Sequence, residues 1–210
     1  MSATPKKTTP TGTRLRRAIL DEARKSLMEG GYGNLSLRPI AKEVGISPTA
    51  IYVHFRNKDA LLHALIDEGM NWLYQSLRAR TAGASSREEG LARMCRGYIE
   101  FGLENAEYYE VMFLLRPERM QRFPASKYRR ARRNLDLGAE LLLGAVQADG
   151  PRPEPSPAVR TAVTLAWATL HGVTTLLNSR RIDVRLDREA LIDDAIERTT
   201  SGLIAALPTS

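Results

Sequence analysis

A chain of 210 residues, 43% of them hydrophobic, has enough apolar side chains to bury one large core or two small ones. No apolar stretch approaches the ~20 residues of a membrane span, and the polar stretch from Met1 to Thr13 has no apolar block behind it, so neither a spanning helix nor a secretory leader is expected. The single cysteine, Cys95, leaves no internal disulfide and suits a reducing cytoplasm, and with only three scattered histidines no metal site or cofactor is expected. The net charge of +7 is unevenly placed. Eleven of the 31 basic residues and four of the 24 acidic ones lie at or before Lys58, which leaves twenty of each sign in the rest of the chain. A basic head on a neutral body is the electrostatic footprint of a phosphate-binding module.

Apolar periodicity and stop signals predict helix almost throughout, hence an all-α fold. The first helix is expected over about 15–29, with Leu15, Ile19, Ala23 and Leu27 on one stripe and Gly30, Gly31 and Gly33 ending it. A short helix from Leu37 to Val44 follows, capped by Ser36, and Gly45 makes a turn. Ser47 then caps a third helix that opens with Pro48 and closes at Phe55. Asn57 caps a long fourth helix to about Arg80. Further helices are expected over about 87–104, 107–115, 126–148, 158–180 and 188–207, with a Pro-rich loop from Gly150 to Pro157.

The functional signal is the run helix, Gly turn, helix between Ser36 and Phe55. At ~100° per residue, Ile51 and Phe55 share one side of the third helix and are expected to anchor it on Ile19, Ile40 and Val44. Thr49 and Val53 then face outward, flanked by Pro48 and Ala50, a small and weakly charged surface suited to base edges and thymine methyls. Around it stand Ser36, Arg38, Ser47, Tyr52, His54 and Lys58, whose hydroxyl, cationic and ring N–H groups are of the kind that hold DNA phosphates.

The segment LSLRPIAKEVGISPTAIYVHFRNKDALLHAL resembles the DNA-binding head of the TetR family of bacterial repressors, through Ile40-Ala41, Gly45, Ser47-Pro48, Ile51-Tyr52, His54-Phe55, and Lys58 with Leu61. The resemblance implies that Tyr52, His54 and Lys58 hold phosphates, that Ser36 and Arg38 flank the groove, and that Thr49 and Ala50 lie nearest the bases. It also implies three segments: a flexible basic tail over 1–13, a helix-turn-helix domain over 14–62, and an effector-binding and dimerisation domain over 63–210. Lys6, Lys7, Arg14, Arg16 and Arg17 read as a nonspecific basic arm before a minor-groove one.

The body resembles TetR-type regulatory domains, and Asn105 to Phe113 with Trp167-Ala168-Thr169-Leu170-His171-Gly172 resembles the subgroup named for Trp-His-Gly. Trp167 and His171, four residues apart, read first as a packed indole with a hydrogen-bonded imidazole and second as ligand contacts. Gly172 is read as permitting close helix approach. Tyr98, Phe101, Met112 and Phe113 read as core, and any effector pocket is expected among these six aromatic, sulfur and imidazole side chains. Stripes at Val159, Val163, Ala166, Leu170, Val173 and Leu177, then Leu191, Ala195, Leu203 and Leu207, either complete the core or, by resemblance, pair with a second copy. The basic run from Lys127 to Arg133 reads as a solvated face, and Cys95 as a small buried side chain.

Three functions compete. A ligand-responsive repressor, bound to a pseudo-palindromic operator on double-stranded DNA as a homodimer, leads. A DNA-binding regulator controlled by a partner protein, with no small-molecule effector, is the alternative. Catalysis is not expected, because no nucleophile–base pair, phosphate-cradling Gly loop or spaced carboxylate pair is present.

Overall fold

The computed structural model describes residues 12–113, 125–144 and 154–207, with the backbone alone described for Asn34 and residues 125–131. These residues form helices α1 (Gly12–Asn34), α2 (Leu37–Val44), α3 (Pro48–His54), α4 (Lys58–Thr81), α5 (Arg87–Glu104), α6 (Ala106–Phe113), α7 (Ala125–Leu142), α8 (Pro157–Asn178) and α9 (Arg188–Ala205). No strand occurs among the described residues, so the fold is all-α. Of these residues, 12–66 with 110–113 form one compact unit and 67–109 with 125–144 and 154–207 form the other, the division falling within α4 and α6. The expected tail over 1–11 and most of the Pro-rich loop lie outside the described residues.

In the first unit the predicted stripe of α1 is the core: Ile19, Ala23 and Leu27 are fully buried and Leu15 nearly so. The helix leaves α geometry at Gly31, where φ is +65° and ψ −173°. Glycine is the residue that takes this conformation without a Cβ clash, and a separate turn over 32–34 follows. The helix α2 buries Leu37, Ile40 and Ala41 and closes on Gly45 in the left-handed region (φ +77°). There Gly45 N–H donates to Lys42 O and Ile46 N–H to Ala41 O, a Schellman stop that redirects the chain. Ser36 stands at the N-cap of α2 in extended conformation, but its hydroxyl makes no capping bond, contrary to the sequence expectation. The cap expected of Ser47 forms: Ala50 N–H donates to its Oγ at 3.1 Å, with Pro48 opening α3. Asn57 Oδ1 accepts from Ala60 N–H at 2.8 Å and starts α4.

In the second unit α5 is central, packed on α7, α8 and α9, which also pack as α7–α8 and α8–α9. The helix α8 starts on a Ser156 cap and Pro157, and buries Val159, Val163, Ala166, Leu170, Thr174 and Leu177. Val173, expected on that stripe, is half-buried at its margin. The last helix is capped by Asp187 and buries Ile192, Ala195, Ile196, Thr199, Thr200 and Leu203. Of the predicted stripe Ala195 and Leu203 are buried, whereas Leu191 and Leu207, the latter beyond the end of α9, are only half-buried.

Within this chain the close helix approach lies at Gly102. A Cβ at Gly172 would meet nothing within 4 Å, whereas one at Gly102 would lie 2.4 Å from Thr174 Cγ2 and 2.9 Å from the Tyr109 ring. Asn178 Nδ2 also donates to Gly102 O at 2.9 Å, so α5 and α8 meet backbone to side chain. Gly102→Ala is therefore expected to cost about 1–3 kcal/mol in urea unfolding, because a methyl forces packed neighbours apart. An unchanged midpoint would show that this contact relaxes freely.

Candidate nucleic-acid interface

The exposed side of α3 is built by what its other side must bury. Ile51 is fully buried and Phe55 is 1% exposed, while Val53 is 83% and Tyr52 47% exposed. Phe55 reaches the core although the helix ends one residue earlier: it is the C-cap, with φ −140° and ψ +104°, and its N–H donates to Ile51 O. Thr49, Pro48 and Ser47 are exposed and Ala50 is half-buried. The outward face thus presents two hydroxyls, a phenol and an unshielded isopropyl group within a short stretch of chain. Ser36 and Arg38, at the start of α2, are exposed as well, and His54 is half-buried.

Lys58, expected as a phosphate contact, is half-buried and has partners within the first unit. Its Nζ donates to Tyr32 O at 2.8 Å and lies 3.8 Å from the centre of the Tyr32 ring. Burial of the ammonium lowers its pKa below the ordinary lysine value, and Asp59 opposes that shift. One of its three donors is committed inside the unit, and the other N–H groups remain for an anion.

Arg14, Arg16 and Arg17 belong to α1 rather than to a tail. Arg16 Nη1 donates to His54 O at 3.2 Å, and its guanidinium stands 4.3 Å from the Phe55 ring centre. Neither Arg16 nor Tyr32 emerges from the sequence as a partner of this segment. The available signal was position: Arg16 adjoins the buried Leu15, and Tyr32 follows the glycine that breaks α1.

In the second unit Tyr98, Trp167 and His171 come together with Tyr109, which the sequence does not single out as their partner. Trp167 Nε1–H donates to Tyr98 Oη at 2.9 Å, Tyr98 Oη and Tyr109 Oη are 2.9 Å apart, and Tyr109 Oη lies 2.5 Å from His171 Nδ1. The indole can only donate, so Tyr98 Oη accepts from it, and either phenol can be the donor between Tyr98 and Tyr109. Burial pushes the Tyr109 phenol up to about 12 and the Tyr98 phenol higher still, keeping both protonated donors. The Tyr109 and His171 rings are also stacked, 5.5 Å between centres. Phe101 packs instead against Trp72, 5.1 Å centre to centre and edge-on. Met112, buried, and Phe113, half-buried, belong to the stretch of α6 grouped with the first unit.

Of the expected basic face, Arg132 is exposed and Arg133 lies 4.1 Å over the Tyr74 ring; the side chains over 127–131 and Arg116, Arg119 and Arg122 lie outside the described residues. Cys95 is buried, which raises its thiol to about 11 and makes it a packing residue. Among the described residues no helix is long and apolar enough to cross a membrane, and no group of three potential ligands gathers for a metal ion.

The imidazole of His171 is held below its ordinary value of 6.5 by burial. The unfolded chain therefore takes up this proton first as pH falls, so the stability tied to neutral His171 is fully present above about pH 6.5 and declines as pH falls through the lowered folded value. Urea midpoints should drop between about pH 7 and pH 5 in the wild type and drop less in His171→Asn, whose amide oxygen keeps an acceptor near Nδ1. Equal slopes would mean that His171 titrates alike in both states.

Residues 19–65 match the family described as bacterial regulatory proteins, tetR family, and residues 91–199 match the tetracyclin repressor-like C-terminal domain. Two curated relatives resemble parts of the chain. A helix-turn-helix transcriptional repressor of Mycobacterium tuberculosis, Rv1474c, is 41% identical over 84 residues, 40% of each chain. An uncharacterised helix-turn-helix regulator of Haemophilus influenzae is 44% identical over 64 residues, 30% of this chain and 31% of the relative. The matched segments thus span well under half of those relatives. Among solved structures, a protein of unknown function from Rhodococcus sp. RHA1 has a TM-score of 0.70 at 25% identity, covering 93% of this chain and 95% of that one. The TetR family regulator PfmR of Thermus thermophilus shares the fold, with a TM-score of 0.59 at 19% identity over 88% of this chain and 98% of its own. The exposed recognition-type helix, the glycine stop before it and the match of both segments converge: this chain belongs to the TetR family of bacterial transcriptional regulators.

Proposed function

We propose that this protein binds a pseudo-palindromic operator as a twofold dimer, with α3 in the major groove, and represses transcription until a small molecule bound in its C-terminal domain weakens that grip. The observation that carries the DNA reading is the partition of α3, with Ile51 and Phe55 buried beneath Thr49, Tyr52 and Val53. In this reading Pro48, Thr49, Ala50 and Val53 face base edges, and Ser36, Arg38, Ser47, Tyr52, His54 and Lys58 face phosphates. Lys58 does so with the N–H groups that Tyr32 leaves over. A dimer is favoured by exposed apolar side chains on and beside α8, namely Leu165, Leu176, Val184 and Leu186. Twofold symmetry also suits two heads meeting half-sites about 34–36 Å apart or a multiple of it.

An effector shifts operator binding only by its unequal affinity for two conformations, typically worth about 1–3 kcal/mol. The helix α4 runs unbroken across the division between the units and is the covalent path for such a shift. Control by a partner protein is a second reading. It is favoured by the Trp167–Tyr98–Tyr109–His171 chain, whose polar groups bond to one another. Release of the operator by the low-molecular-weight fraction of a cell extract would support an effector; release by the protein fraction alone would support a partner.

Tyr52→Phe, which removes one hydrogen bond to a charged oxygen, is expected to weaken operator binding by about 1.5–3 kcal/mol in band-shift titration. Lys58→Ala should flatten the plot of log affinity against log salt by about 0.9. Unchanged affinity in both variants would remove these phosphate contacts. Val53→Ala should alter preference at one base position and leave nonspecific affinity unchanged; equal loss on all sequences would contradict a base-facing role.

A further inference from the structure

The helix α3 has only seven residues, too few to hold itself, so its orientation is set by what grips it. Ser47 holds its start and Ile51 its middle. Its far end is held by Arg16 of α1, which donates to the carbonyl of His54, the last helical residue, and covers the ring of Phe55, the residue that leaves the helix. Terminal carbonyls of a helix have no partner within it and carry the negative end of its dipole, so a guanidinium is well matched to that position. Arg16 is itself exposed, but it stands between buried neighbours, with Leu15 and Ile19 seating α1 on one side and Phe55 in the core on the other. Four residues beyond His54, Lys58 is tied back to the Tyr32 carbonyl and ring. The segment from the end of α3 to the start of α4 is thereby fastened to α1 at two points, each a cation on an aromatic face with a bond to a backbone carbonyl.

On the basis of the DNA-binding reading above, we infer that Arg16 is a positioning residue of the DNA-reading surface. It acts through the His54 carbonyl and the Phe55 ring to fix how α3 presents Thr49 and Val53, and is not one of the cations that neutralise DNA phosphates. The positive charge of the head then serves two roles. Part of it holds the reading helix, and the remainder meets the DNA backbone.

Salt dependence separates the two, because each phosphate contact contributes about 0.9 to the slope of log affinity against log salt while a contact within the protein contributes nothing. The full-length protein is compared with Arg16→Met and Arg16→Lys on a specific duplex and on random duplex, with amide hydrogen exchange of the DNA-free proteins alongside. Arg16→Met should lose about tenfold in specific affinity, the scale of one disturbed base contact, with its salt slope and random-duplex affinity unchanged. Amides at the end of α3 and at Phe55 should exchange faster. Arg16→Lys should recover little, because an ammonium does not combine stacking and planar donation in this geometry. A slope reduced by about 0.9, equal losses on both duplexes, or full activity of Arg16→Lys would each overturn the inference. If the wild type bound neither duplex, the DNA-binding reading itself would fall and this role with it. The exchange data would still show whether the contact exists.

Discussion

The burial of Ile51 decides the rest of the head. A two-turn helix can hide one side only, and once Ile51 and Phe55 are buried, helical geometry puts Thr49, Tyr52 and Val53 outside. The isopropyl group of Val53, 83% exposed, takes no part in this core. The stop at Gly45 and the cap at Ser47 set the angle between α2 and α3 without using Thr49, Tyr52 or Val53. That face is therefore free to vary in chemistry while the scaffold stays fixed.

The second unit is organised the opposite way. Its central helix α5 carries buried glycines where neighbours press closest, and its polar side chains are turned toward one another. The indole of Trp167 donates into a run of hydroxyl groups that ends on His171. Burial opposes the protonation of His171. The Trp-His spacing in the sequence is thus half of an arrangement completed by Tyr98 and Tyr109.

Much of this was legible in the sequence because it depends on local rules. Ser-Pro at a helix start, a glycine just before it and an apolar stripe of period 3.6 each fix a backbone event within a few residues. The boundaries of α2 and α5, and the outward side of α3, follow from such rules. What could not be read required a partner distant in sequence. Arg16 and Lys58 look like any surface cations until α1 brings them together with Phe55 and Tyr32. Gly172 adjoins a recognisable motif, yet Gly102 makes the close contact, since the spacing of α5 and α8 is a tertiary property. On α9, Leu191 and Ile192 are equally apolar, and the packing of the helix against α5 and α8 is what distinguishes them. Ser36 has the right residue type and backbone for a cap, but its hydroxyl is not engaged there.

The central claim is that the outward side of α3 is what touches DNA. Because Cys95 is buried, a cysteine placed at Val53 can carry an iron-chelate cleavage reagent selectively. On a duplex selected by binding, the labelled protein should cut within the major groove in two clusters on one face of the helix, separated by a whole number of turns of about 34–36 Å. Cutting no stronger or more localised than that from the same reagent at the fully exposed Val184 would contradict the account.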